Sequence, residues 1–196
     1  LISIKGYEYH GNWVYGKQTG ECQVYYKNGD IYSGNFLNGM RHGYGELFTI
    51  DNFRNYKGSW NKDYLTGDVI ITSEEWSFKG HYNHLNLHAE GQLLYKDQSS
   101  YFGSLIDFKK KGIGTYFFAS GEQIKGHWTN DYDVINATKK DQNGFIWKGT
   151  FKDLKPNGLI NVELPCRQSY DGIWSNGVMQ RAIGAFGIKL RPFIVN

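Results

Sequence analysis

Three groups of residues in this chain have the types and spacings found in sites that bind phosphate, zinc or anionic lipid. Glycines one residue apart, as in Gly43-Tyr44-Gly45 and Gly112-Ile113-Gly114, occur in loops that cradle phosphates. Three histidines lie within the stretch 81–88, and imidazole is a common zinc ligand. Three consecutive lysines, Lys109–Lys111, carry the charge that anionic lipid attracts.

The surroundings of these residues argue against catalysis. A phosphate loop opens a helix, and no helical pattern follows either glycine pair. His81 falls on a predicted strand and His84 and His88 in a loop, without the cysteine or paired carboxylate that a zinc site needs. No residues suggest the roles of a catalytic triad. We therefore predict that the protein is not an enzyme and uses no metal and no cofactor.

The composition predicts a sheet protein. Aromatic residues make up 17% of the chain and glycine 25 of 196 residues, with only 3 prolines. Disordered linkers have few aromatics, whereas sheets joined by turns need both aromatics and glycine. The net charge of +3 is too small to indicate nucleic acid as a partner. Residues 99–196 carry 13 basic and 8 acidic groups, a weak indication of an acidic partner.

A five-residue pattern recurs along nearly the whole chain. It reads large apolar residue, any residue, glycine, any residue, large apolar residue, and its copies start 22 to 24 residues apart. The eight copies begin at Tyr9, Tyr32, Tyr56, Phe78, Tyr101, Ile124, Trp147 and Tyr170. Such regularity indicates an array of small structural repeats.

The pattern predicts a strand with one apolar face. Because side chains alternate along a strand, Tyr32, Gly34 and Phe36 project from one face and the polar residues between them from the other. The glycine leaves a slot in which an aromatic ring lies against the backbone. The predicted structural glycines are Gly11, Gly34, Gly58, Gly80, Gly103, Gly126, Gly149 and Gly172.

A second half follows each pattern and predicts a return strand. In the second copy it contains Gly39, Gly43 and Gly45. We predict a loop of several residues inside each copy and a tight turn between copies, where sequences such as Asn28-Gly29 favour positive φ. Each copy is then one hairpin of a long antiparallel meander.

At this point the sequence resembles a known family, the MORN (membrane occupation and recognition nexus) repeat. The resemblance rests on the pattern Tyr-x-Gly-x-Trp followed by Gly-x-x-x-Gly-x-Gly with a period of 23 residues, and it covers residues 9 to about 187. Copies one and two match best, with Gly43-Tyr44-Gly45-Glu46 close to the usual ending of the family. The resemblance implies an all-β, elongated, single-layer twisted antiparallel sheet of eight hairpins. Residues 1–8 are predicted as an N-terminal strand or repeat remnant, 9–187 as the repeats, and 188–196 as a cap or tail.

The resemblance implies a non-catalytic scaffold for protein–protein interaction. Members of the family act at cytoskeletal, ciliary or membrane-contact sites, and we expect a cytoplasmic location at the cytoskeleton or cilium. The expected partner is a helical segment or another repeat or cytoskeletal protein, bound along an exposed aromatic groove. The predicted groove residues are Trp13, Phe36, Trp60, Tyr82 and Trp128.

Two alternatives stay open at the level of sequence. Lys109, Lys110 and Lys111 would make contact with anionic lipid if the protein organises a membrane surface. Since some members of the family are regulatory parts of enzymes such as lipid kinases and a lysine methyltransferase, the chain would otherwise serve a catalytic domain outside the 196 residues. The oligomeric state does not follow from the pattern.

Overall fold

The computed structural model describes residues 2–4 and 6–183, so that the predicted cap or tail at 188–196 lies outside the described residues. The chain divides into two compact units, Leu1–Phe108 and Lys109–Asn196. Within the described residues every regular element is a β-strand. These residues contain no helix of the length and apolarity that crossing a membrane requires.

The first unit is an antiparallel sheet in which each strand pairs with its neighbours in sequence. Its strands are β1 (Ile2–Ile4), β2 (Tyr7–Val14), β3 (Lys17–Tyr26), β4 (Ile31–Leu37), β5 (Met40–Thr49), β6 (Arg54–Asn61), β7 (Tyr64–Thr72), β8 (Trp76–Asn83), β9 (His88–Tyr95) and β10 (Ser100–Ile106).

The second unit repeats this plan of sequential antiparallel pairing. Its strands are β11 (Lys109–Phe117), β12 (Gln123–Trp128), β13 (Val134–Lys140), β14 (Ile146–Lys152), β15 (Lys155–Glu163), β16 (Ser169–Ser175) and β17 (Val178–Ile183). The predicted all-β architecture of antiparallel hairpins is confirmed.

The two faces of each sheet differ as the alternation predicts. On one face, which we call the aromatic face, the large residues of the repeat are buried, and Tyr32, Phe78 and Tyr101 are fully inaccessible to solvent. On the other, which we call the polar face, stand residues such as Ser33 and Lys57. The core of each unit therefore lies on the aromatic face.

In the first two copies the tyrosine that begins the copy fills the slot beside the repeat glycine. The Tyr32 hydroxyl donates to the backbone oxygen of Asn35 at 3.1 Å, which draws the ring along its own strand over Gly34. A Cβ atom on seven of the eight predicted structural glycines would lie within 3.0 Å of another atom. The seven are Gly11, Gly34, Gly58, Gly80, Gly126, Gly149 and Gly172.

The predicted order of loop and turn is wrong, because the tight turn lies inside most copies and the longer connection lies between them. Lys62-Asp63 joins β6 to β7 with both residues at positive φ, 49° and 70°. Two residues at positive φ form the turn that matches the twist of a hairpin. Asn28-Gly29 belongs instead to the longer turn between β3 and β4.

A second glycine serves a different purpose from the first. Where β6 pairs with β7, Gly58 lies opposite Val69 and Ser59 opposite Thr66, so two extra residues form a β-bulge. Gly67 lies in this bulge with a φ of +78°, and a Cβ there would meet nothing within 4 Å. Gly67 is therefore required for its backbone conformation rather than for space.

The buried thiol of Cys22 should make the stability of the first unit fall as the pH becomes alkaline. Burial raises the pKa of Cys22 from 9.0 to about 11. Because the unfolded chain loses this proton first, the contribution to stability is complete below pH 9 and is lost as pH rises through about 11. Urea unfolding should thus give a flatter stability profile in this range for Cys22→Ala than for the wild type. Parallel profiles would contradict the assignment.

Candidate functional site

A groove of about 740 Å³ opens on the aromatic face of the first unit. Its lining comes from β5, β6, β7, β8 and the turns that follow β6, β8 and β10. The lining residues are Met40, Arg41, Leu47, Arg54, Tyr56, Trp60, Lys62, Asp63, Tyr64, Leu65, Tyr82, His84, Leu87, Asp107 and Phe108. The volume lies within the usual range for ligand-binding clefts.

One wall of the groove is a stack of aromatic rings. Phe108 stacks on Tyr82 with ring centroids 5.4 Å apart and on Trp76 at 5.3 Å. Phe108 reaches this position because Asp107 and Phe108 form a two-residue turn with φ values of 50° and 57°. Burial raises the pKa of the Tyr82 hydroxyl above its ordinary value of 10.0, so this ring stays uncharged at a pH where an exposed tyrosine begins to ionise.

A second part of the lining is a clasp of Arg41, Trp60 and Asp63 that joins two successive repeats. The Arg41 guanidinium lies over the Trp60 ring, 4.4 Å from its centroid, and its Nε is 3.2 Å from Oδ1 of Asp63. The backbone N–H of Arg41 donates to the same carboxylate oxygen at 2.9 Å. The Trp60 Nε1–H donates to the oxygen of Gly45 at 3.1 Å, which fixes the ring that the cation covers.

The rim of the groove combines charged and apolar side chains that solvent reaches. Tyr64 is 48% exposed and Leu87 is 40% exposed. His84 lies between Tyr64 and Tyr82, with centroid distances of 5.2 and 6.2 Å. Among the described ion pairs none involves Lys62, which is exposed at this rim. The groove thus offers an apolar interior and polar groups at its mouth, an arrangement suited to an amphipathic segment.

The predicted groove residues are distributed differently from the expectation. Trp60 and Tyr82 both line the groove, but each is only 5% exposed. Phe36 and Trp128 are buried in the core and Trp13 is half-buried, and none of these three lines the groove. The accessible surface of the groove comes mostly from the turns. That these five residues bind a partner stays a prediction.

The three consecutive lysines do not form one exposed cluster. They begin strand β11, so they alternate between its faces: Lys109 and Lys111 are exposed, whereas Lys110 is 6% exposed. Lys110 Nζ lies 5.5 Å from the Trp128 ring centroid and 3.8 Å from Oδ1 of Asp131. Only two of the three predicted lipid contacts are therefore accessible, and lipid binding by this segment stays untested.

Lys110 forms the same clasp in the second unit that Arg41 forms in the first. The Lys110 N–H donates to Asp131 at 2.8 Å, and the Trp128 Nε1–H donates to the oxygen of Gly114 at 3.0 Å. Burial lowers the pKa of Lys110, and the Asp131 charge acts against this shift. In both units the clasp of a cation, a tryptophan and an aspartate joins one repeat to the next.

The sequence analysis predicted neither the clasp nor the stacked wall, although the clasp residues recur at fixed positions of the repeat. Arg41 and Lys110 each occupy the tenth position of a copy, and Trp60 and Trp128 the fifth position of the next. Asp63 and Asp131 occupy the eighth position of that next copy. Aligning the copies by position would have revealed this combination, whereas nothing in the sequence marks Phe108. Among residues 2–4 and 6–183 no three His, Cys, Asp or Glu side chains are placed to hold a metal ion.

Comparison with known proteins gives matches over much of the chain. The family model described as "MORN repeat" matches residues 9–31, 32–49 and 170–180. Alsin of Rattus norvegicus is 28% identical over 159 residues, which are 76% of this chain and 10% of alsin. Alsin of Homo sapiens and of Mus musculus match with the same identity and coverage. The chain therefore spans about a tenth of the length of these relatives.

Among solved structures, one similar chain is the SAS-4 (dCPAP) TCP domain in complex with a proline-rich motif of Ana2 (dSTIL) of Drosophila melanogaster. It is 13% identical, with a TM-score of 0.48, and the match covers 89% of this chain and 97% of that chain.

Proposed function

We propose that this chain, in which three segments match the MORN-repeat model, is a non-catalytic scaffold for protein–protein interaction and that the groove of the first unit binds a segment of its partner. The observation that carries this proposal is the groove of about 740 Å³ with a stacked aromatic wall and an exposed rim. Apolar concavities rimmed by polar groups are the usual docking sites for partner proteins.

The form of the groove favours a helical segment as the occupant. Two parts of its lining, Phe108 on Tyr82 and Arg41 on Trp60, are rigid because stacking and hydrogen bonds fix both. A preformed groove of this kind accepts the apolar stripe of an amphipathic helix at little cost in ordering. The polar groups of the rim, such as Lys62, then face the polar side of that helix.

A pair of rim substitutions tests the proposal. Tyr64→Glu with Leu87→Glu puts charge into the mouth of the groove, and we expect partner binding to fall at least about tenfold. Because both side chains are exposed, stability should change by no more than about 0.5 kcal/mol. The measurement is quantitative affinity purification, followed by titration of the purified partner with each variant.

The matched control is Ile70→Glu with Leu94→Glu, which adds the same two charges at apolar residues of the polar face that are 43% and 48% exposed. We expect this control to bind as the wild type does. Equal binding by the groove variant, the control and the wild type would refute the groove as the docking site.

We further propose a cytoplasmic location at the cytoskeleton or cilium, which the family resemblance supports. Imaging of a tagged chain in ciliated cells tests this location, and a diffuse signal that no cytoskeletal marker overlaps would oppose it.

A second candidate function is that of a regulatory module that acts with a catalytic domain. It is favoured by the match to the alsins, in which the matched segment is 10% of a longer protein. The full open reading frame, with an activity assay in the presence and absence of these 196 residues, would test that candidate.

A further inference from the structure

The polar face of the second unit carries a cluster of lysines around Thr138. Lys125 on β12 lies opposite Thr138 on β13, which lies opposite Lys148 on β14. Lys140 follows two residues after Thr138 on the same face. Side chains directly opposite one another are about 5 Å apart at their Cβ atoms and diagonal neighbours about 7–8 Å. The side chains of Lys125, Lys140 and Lys148 therefore form one compact group.

Most of the charge in this cluster lacks a counter-charge. Lys148 pairs with Glu163 at 3.2 Å. Among the described residues no ion pair involves Lys125 or Lys140, and both lysines are exposed. The cluster is thus a local excess of positive charge that an acidic partner would neutralise.

An apolar row runs beside the lysines. Ile113 on β11 lies opposite His127, which lies opposite Ile135 on β13, and Leu159 lies two strands further on, on β15, so the exposed apolar side chains come from alternate strands. Ile113 is 61% exposed, Ile135 38% and Leu159 60%. His127 is two residues, or about 7 Å, along β12 from Lys125, and Ile135 is three residues along β13 from Thr138, across a β-bulge. A partner that crosses the strands would meet both rows at once.

Acidic residues interrupt the positive charge of this face. Glu163 on β15 and Asp171 on β16 lie between Lys148 on β14 and Arg181 on β17. These carboxylates would repel an anionic bilayer laid over the face. A polypeptide can instead place its acidic side chains on the lysines and leave the carboxylates uncovered.

The spacing of the strands suits a helix laid across them. Neighbouring strands are about 4.8 Å apart, and one helical turn rises about 5.4 Å. Successive turns therefore fall close to successive strands over the width of this face. One flank of the helix would then follow the lysine row and the adjacent flank the apolar row.

We propose that the polar face of the second unit is a docking surface for an amphipathic helix of a protein partner. Acidic side chains of the helix meet Lys125 and Lys140, and its apolar side chains cover Ile113, Ile135 and Leu159. The surface uses none of the residues of the groove in the first unit, and it does not depend on the function proposed for that groove.

Two synthetic amphipathic helical peptides test this surface on the full chain. The first carries leucine on one flank and glutamate on the next, and the second has lysine in place of each glutamate. In fluorescence anisotropy titrations, we expect the glutamate peptide to bind at least about tenfold more tightly than the lysine peptide. Equal affinities, or no binding of either peptide at about 1 mM, would overturn the proposal.

Charge reversal then locates the binding. Lys125→Glu with Lys140→Glu should abolish the preference for the glutamate peptide or reverse it. The matched control reverses two exposed lysines of the first unit, Lys27 and Lys79, and should keep the preference. Equal effects of the two double variants would refute this location. A membrane is tested with phosphatidylserine vesicles. If the vesicles bind the wild type but not the double variant Lys125→Glu with Lys140→Glu, the face binds a membrane and the proposal is overturned.

Discussion

Replacing Gly34 by valine is expected to destabilise the first unit by about 3 kcal/mol or more. Even a Cβ atom at this position would lie 2.5 Å from Cα of Gly45, 2.7 Å from the Tyr32 hydroxyl and 2.8 Å from the oxygen of Tyr44. Two of these contacts are backbone, so the neighbours cannot rotate away. The change is measured by urea unfolding followed by tryptophan fluorescence.

Gly67→Ala provides the comparison, because it tests backbone conformation without crowding. A Cβ at Gly67 meets nothing within 4 Å, but φ is +78°. Only the cost of a left-handed conformation applies, about 1 kcal/mol. If the two substitutions cost the same, the slot beside Gly34 is not the reason for its glycine.

Removing the acidic partner of the clasp in the second unit is the other change with a large expected effect. Asp131→Ala should destabilise this unit by about 3 kcal/mol, because it removes the ion pair between Asp131 and the Lys110 ammonium group, whose side chain is buried. It also removes the carboxylate that accepts the Lys110 backbone N–H. Lys110→Met should be close to neutral, since it removes the charge and fills the same space over Trp128.

The pH dependence distinguishes this mechanism from simple loss of packing. Burial lowers the pKa of Lys110 below its ordinary value of 10.5. In Asp131→Ala the negative charge that counteracts this lowering is absent. The folded chain then releases the Lys110 proton before the unfolded chain does, so stability rises as pH approaches 10.5. The defect of Asp131→Ala should therefore shrink at alkaline pH, as unfolding curves at several pH values would show. A defect that does not change with pH, or a defect of equal size in Lys110→Met, would contradict the clasp.

The sequence was sufficient to predict which face of each strand is buried. The regular recurrence of residues such as Tyr32, Gly34 and Phe36 fixes the alternation, and alternation alone determines the faces of a strand. The same rule could have shown that Lys110 points away from Lys109 and Lys111. The prediction failed there because three lysines together are typical of an exposed loop.

The accessible part of the groove could not be predicted from the repeat pattern. The pattern marks Trp60 and Tyr82, but those rings are mostly covered by Arg41 and Phe108. The position of Phe108 follows from a turn with two residues at positive φ, and the second of them, Phe108, is not the glycine that usually follows aspartate in such a turn. The conformation of that turn is a property of the folded hairpin rather than of local sequence.

Site-specific photo-crosslinking tests the central claim, that the groove of the first unit binds a protein partner. A photoreactive phenylalanine analogue replaces Tyr64 or Leu87 at the rim of the groove, or Leu94 on the polar face as the control. We predict that both rim positions crosslink to the same protein and that Leu94 does not. Crosslinking from Leu94 alone, or with the same yield from all three positions, would contradict the claim.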